Sequence, residues 1–116
     1  MNQGVNTILY PVKDIAQAKT LFTALLGAEP FVDSPAYVGY MVGNQQIGLV
    51  PNGHNQGLIG PVGFYHVDDL QKTLQSLLAV GAQVQQDVKN VGGGRLTASV
   101  KDADGNIIGL LSDTAG

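Results

Sequence analysis

Few side chains in this sequence can do chemistry. There are two histidines, His54 and His66, one arginine, Arg95, and no cysteine. Lacking cysteine, the chain has no disulfide framework, thiolate metal site or thiol nucleophile. His66 lies in PVGFYHV, residues 61–67, a run of β-branched and aromatic residues that reads as a strand. Alternation along a strand puts Val62, Phe64 and His66 on one face and Tyr65 and Val67 on the other. An imidazole there, with an ordinary pKa of about 6.5, suits a general base or a donor that orients a ligand; a rim histidine bonded to backbone or water is the alternative. His54 sits in PNGHNQGLIG, residues 51–60, the setting of a solvated surface histidine. Arg95 opens RLTASV, where its fork can meet an anionic ligand or simply end a strand in solvent. Tyr37 and Tyr40 share another strand and offer either pocket contacts or core packing. Asp33, Asp87 and Asp113 stand singly, so no carboxylate pair suggests acid–base work.

Two glycine-bearing stretches invite ligand readings and fail them. DADGN, residues 102–106, has its glycine in the wrong place for a calcium loop and no closing glutamate, so it reads as a turn. NVGGG, residues 90–94, lacks the Gly-Lys-Ser/Thr ending of a phosphate-binding loop and leads into a strand, so it reads as a hairpin. No cofactor is expected.

These groups must be positioned by one domain's worth of chain. The 116 residues are 44% apolar and only 13% charged, with net charge −3. Lys13, Lys19, Lys72, Lys89, Arg95 and Lys101 are scattered singly, whereas a nucleic-acid footprint needs clustered cations. No apolar run approaches the roughly 18 residues needed to span a bilayer. MNQGVNT has no basic region leading into an apolar stretch, so a cytoplasmic location is expected.

The chain also repeats itself. YPVKDIAQAKTLFTALLGA at 10–28 matches YHVDDLQKTLQSLLAVGA at 65–82, pairing Tyr10 with Tyr65, Val12 with Val67 and Asp14 with Asp69. Downstream, QQIGLVP at 45–51 matches GNIIGLLS at 105–112, pairing Gly48 with Gly109. Each copy runs from a strand to a helix and on into three short extended pieces. The first helix has an apolar stripe of Ile15, Ala18, Leu21, Phe22, Leu25 and Leu26, with Asp14 as N-cap, Gln17 as its capping-box partner and Gly27 as C-terminal stop. The second has Leu70, Leu74, Leu77 and Leu78, capped by Asp68 or Asp69 and ended by Gly81. Strands are expected near 5–12, 30–33, 37–42, 46–50, 61–67, 83–89, 95–101 and 106–111. Two βαβββ units, about 4–50 and 60–113, therefore form one α+β domain over 1–116, joined by a mobile surface loop at 51–60. Neither unit alone is large enough to bury a sufficient core.

This pattern resembles the vicinal oxygen chelate superfamily, the glyoxalase, bleomycin-resistance and dioxygenase-like proteins. The residues that carry the likeness are YPVKDI…LLG, FYHVDDL and DADGNIIGL. The resemblance implies a curved mixed sheet around a cavity, and a homodimer. It also implies a divalent metal held by two side chains from each half, at positions that here are Thr7, Gly48, Val62 and Gly109. None is a competent ligand of the His, Gln or Glu type, since a hard cation needs carboxylates or imidazoles. The expected ligand-binding residues are Thr7, Leu9, Tyr40, Gly48, Phe64, His66, Arg95 and Gly109, around a mostly apolar site widened by the two glycines. The expected function is metal-independent binding of a small, partly apolar or aromatic molecule, with sequestration as one mode of action. The competing expectation is a lyase, isomerase or dioxygenase-like enzyme using His66 or a relocated metal site. The sheet faces could also collapse into a core, leaving the surface to bind a partner.

Overall fold

A computed structural model describes residues 2–113. By contacts the chain divides into two compact units, Asn6–Val62 and, together with the first residues, Gly63 onward. Each has the βαβββ order read from the repeat. The N-terminal copy contains β1 (Asn2–Pro11), α1 (Ile15–Leu26), β2 (Val32–Ser34), β3 (Tyr37–Val42) and β4 (Gln45–Val50). The C-terminal copy contains β5 (Val62–Val67), α2 (Leu70–Ala79), β6 (Gln83–Gly92), β7 (Arg95–Lys101) and β8 (Ile107–Ser112). The strand orders correspond, β2-β3-β4-β1 in one and β6-β7-β8-β5 in the other. First and last strands of each copy pair in parallel, β1 with β4 and β5 with β8, and the remaining neighbours within each copy run antiparallel.

Local chemistry explains the helix ends. Asp14 is extended, and its carboxylate accepts from the Gln17 backbone N–H, satisfying a donor that the first turn leaves unpaired. Asp69, not Asp68, does the same for Lys72 in the second copy. Gly27 stops α1 in the left-handed conformation, at φ 65°, which a side chain would disfavour.

Each helix covers one sheet face. Under α2, Val67, Ala98, Val100 and Leu110 pack with Leu70 and Leu74. Under α1, Val38, Tyr40 and Leu49 are buried, with Ile15, Ala18, Phe22 and Leu26 against them. The helical stripes are narrower than expected. Leu21 and Leu25 are 58% and 69% exposed, and Leu78 is partly exposed, because each sheet face engages only one edge of the apolar stripe over it. Among the described residues, no helix is long and apolar enough to cross a membrane.

The connection at 51–60 has local order of its own. It forms a short 3₁₀ turn at His54–Gln56, with Leu58 buried, and Leu58 N–H donates to the Gly53 carbonyl at 3.0 Å. Gly53 is needed there, since a Cβ on it would lie 2.7 Å from Pro11. NVGGG is the tip of the β6–β7 hairpin, with φ 64° at Gly93 and 80° at Gly94. Two positive φ values in succession are what a tight hairpin with right-handed strand twist demands. DADGN is a turn: the Asp102 carboxylate accepts from the backbone N–H groups of Asp104 and Asn106 and from the Asn106 amide. Those bonds hold its pKa below the ordinary value.

Candidate functional site

In each copy the sheet face opposite the helix holds most of the expected site residues. In the N-terminal copy, Thr7 and Leu9 of β1 lie beside Gln46 and Gly48 of β4, and Gly48 lies beside Gly39 of β3. Thr7 is buried. Tyr40 is a correction to the expected set. Strand alternation turns it to the α1 side, where it is fully buried and its hydroxyl meets Thr23 Oγ1 at 2.9 Å and donates to the Lys19 carbonyl at 3.1 Å. The tyrosine on the opposite face is Tyr37. Its ring lies over both glycines: a Cβ on Gly48 would meet the Tyr37 hydroxyl, its ring and the Leu9 methyl, and one on Gly39 would be 2.9 Å from the same ring.

The C-terminal copy repeats this device with different residues. Phe64 of β5 lies directly beside Gly109 of β8, which in turn lies beside Ser99 of β7. A Cβ on Gly109 would sit 2.6 Å from Cγ and Cδ2 of the Phe64 ring. So the glycines do not open the space that a side chain would have taken; aromatic rings fill it. Ser99, buried on the same face, donates to the Gln85 side-chain oxygen.

One step along the strands is a polar group. His66 lies beside Leu111, and Leu111 beside Thr97. Beyond the Leu96–Ser112 pair, Arg95 reaches Asp113, with Nε donating to Oδ1 at 2.6 Å and Nη2 to Oδ2 at 3.2 Å. Alternation places His66, Thr97, Leu111 and Arg95 on the face away from α2, whose side is taken by Val67, Ala98 and Leu110. Burial pushes the His66 imidazole below its ordinary pKa, the Arg95 charge acts in the same direction, and Asp113 opposes them. The hydrogen bond from Arg95 holds the Asp113 carboxyl below its usual range, against partial burial and with help from the Arg95 charge. The result is a neutral imidazole beside a paired guanidinium and carboxylate.

Asp113 therefore does not stand alone as the sequence reading held. The signal was available: counting the antiparallel register outward from the 102–106 turn brings position 113 opposite position 95. His54 is exposed in its 3₁₀ turn, as a solvated histidine should be.

The metal implied by the family resemblance does not suit the four matching positions. Val62 is buried and apolar, Thr7 offers one buried hydroxyl, and rings of Tyr37 and Phe64 cover the backbone at Gly48 and Gly109. Such a donor set cannot satisfy a hard cation. Among the described residues, no three His, Cys, Asp or Glu side chains gather into a group suited to a metal ion.

Comparison with known proteins agrees with the fold. The family model described as Glyoxalase/Bleomycin resistance protein/Dioxygenase superfamily matches residues 4–110. A member of that superfamily from Vibrio splendidus 12B01 superposes with a TM-score of 0.71 at 15% identity, covering 97% of this chain and 98% of that one. Methylmalonyl-CoA epimerase from Mycobacterium tuberculosis gives a TM-score of 0.70 at 17% identity, over 96% of this chain and 88% of that one. The Mn(II)-bound glyoxalase from Novosphingobium aromaticivorans gives 0.71 at 18% identity, with 99% of this chain covering 41% of that longer one. At these identities the likeness is one of fold. No curated protein matches the sequence.

Proposed function

The chain belongs to the Glyoxalase/Bleomycin resistance protein/Dioxygenase superfamily, and from that premise we propose that it binds a small, partly apolar or aromatic molecule without a metal. The observation that carries this reading is a glycine under an aromatic ring at each position where the family resemblance implies an acidic ligand, Gly48 beneath Tyr37 and Gly109 beneath Phe64. Those rings supply apolar contact surface where relatives of this family place charge. Beside them the C-terminal copy offers a few polar groups, the neutral His66 imidazole, the Thr97 hydroxyl and the Arg95–Asp113 pair. An apolar surface with a few directed polar atoms is the usual composition of a small-molecule site. In this reading the protein is a homodimer acting by sequestration.

The test is a thermal-shift titration of chelator-treated protein against a panel of small aromatic compounds. Binding that survives chelation and is weakened by Phe64→Leu supports the proposal. Binding that requires an added divalent cation, or no binding by any compound, removes it.

A second reading, that of an isomerase or lyase, draws on the lowered pKa of His66. A base that stays unprotonated at neutral pH can accept a proton from a bound substrate. Turnover abolished by His66→Ala, with binding retained, would favour it.

A further inference from the structure

Arg95 is the only arginine in the chain, and it presents its fork to Asp113 with two parallel hydrogen bonds of 2.6 and 3.2 Å. This is the geometry in which a guanidinium holds any carboxylate, including that of a small molecule. Asp113 lies just past the end of β8, at the end of the ladder that pairs β8 with β7. The Asp113 side chain is 53% exposed, against 28% for Arg95. The carboxylate is thus the wetter partner, the one that a competing carboxylate from solution reaches first.

The surroundings point the same way. His66 lies across Leu111 from Thr97, and Arg95 is two residues from Thr97 on the same face of β7. Two residues before it on the same face, the Phe64 ring caps Gly109. An apolar ring, a neutral imidazole and a paired guanidinium therefore follow one another along a single sheet face of the C-terminal copy.

We propose that Arg95 anchors a small aryl carboxylate, and that Asp113 occupies the fork as an internal stand-in until the ligand's carboxylate displaces it. The ligand's ring lies toward Phe64, and His66 flanks the bound carboxylate. Exchanging one carboxylate for another keeps the guanidinium paired throughout, so the displacement strands no buried charge. This narrows the small-molecule reading above to one ligand class and rests on it.

Benzoate is the probe and benzamide its neutral counterpart, titrated into the full chain by NMR or calorimetry. Asp113→Asn removes the competing charge at an exposed position, and benzoate should bind it about fivefold more tightly than the wild type, the scale of one exposed ion pair. Arg95→Gln should weaken benzoate about tenfold or more while leaving benzamide unchanged, because only the carboxylate uses the fork. Asp113→Ala should reproduce the gain and guards against an asparagine amide that merely re-forms contacts with Arg95. Benzoate affinity unaltered by Arg95→Gln, or no tighter in either Asp113 variant, overturns the proposal. Neutral aromatics binding alike in all variants, without benzoate, would remove the carboxylate anchor yet leave the small-molecule reading standing. Failure of every aromatic compound would remove both.

Discussion

The two copies of the βαβββ unit solve one packing problem in different ways. Both place a glycine at the centre of the last strand, and both cover it with an aromatic ring. In the N-terminal copy the cover is Tyr37, which reaches across Gly39 and Gly48 from the start of β3, with Leu9 from β1 beside it. In the C-terminal copy the cover is Phe64, the direct strand neighbour of Gly109. The polar chemistry also differs. Aligning the copies puts Pro11 where the second has His66, so the imidazole belongs to the C-terminal copy alone. The scaffold is common to both copies, but the imidazole and the guanidinium–carboxylate pair occur only in the second.

The difference in cover makes the two glycines unequal. A Cβ at Gly109 meets the root of the Phe64 ring, at Cγ, which cannot swing aside without leaving its rotamer. A Cβ at Gly48 meets the far end of Tyr37 and a terminal Leu9 methyl, atoms that a small side-chain rotation displaces further than it does a ring root. Gly109→Ala should therefore cost about 3 kcal/mol and Gly48→Ala only about 1 kcal/mol, read from urea unfolding. In a Phe64→Ala background the Gly109 substitution should become nearly neutral, since the two side chains compete for one space. Equal losses at the two glycines would erase the distinction drawn here.

A smaller and symmetric effect is expected at the helix caps. Asp14→Ala and Asp69→Ala each remove a carboxylate that accepts a first-turn N–H. Each should lose about 1 kcal/mol of stability, and the two losses should add. A marked inequality would show that the copies differ in their helices as well as in their sheet faces.

The smallest effect is the most local. His66 has a lowered pKa in the folded chain, so the unfolded chain takes up its proton first as pH falls. The contribution of His66 to stability is intact above the unfolded value of about 6.5 and is lost as pH falls through the folded value. Arg95→Gln removes a like charge and should raise the His66 pKa, whereas Asp113→Asn removes the opposing charge and should lower it further. Ring-proton NMR titration reads both directions, and an unmoved His66 would separate it from the pair.

Much of this was legible in the sequence because it is decided locally. Asp14, Asp69, Gly27 and the 102–106 turn each satisfy neighbouring backbone groups, so their roles follow from residue type and spacing. Repetition did the rest by fixing which strand is the last of each copy. Tyr40 was misplaced although the signal was there: Tyr37 and Tyr40 are three residues apart on one strand, so they must face opposite sides. The Arg95–Asp113 pair was legible in the same way, from register counted outward from a turn. What could not be read was the occupancy above the glycines. That depends on where the rings of Tyr37 and Phe64 swing once the strands are paired, and no spacing rule carries it. The expectation of a site widened by glycine failed for that reason.

The central claim is that this chain keeps the family scaffold while two of the four positions where the resemblance implies metal ligands, Gly48 and Gly109, lie under aromatic rings. Equilibrium dialysis of the purified protein against Mn²⁺, Ni²⁺ and Zn²⁺, followed by elemental analysis, tests it most directly. The account predicts no saturable uptake at micromolar free metal in the wild type, and none lost on changing Thr7 or His66 to alanine. One equivalent of metal per chain, abolished by either substitution, would contradict it.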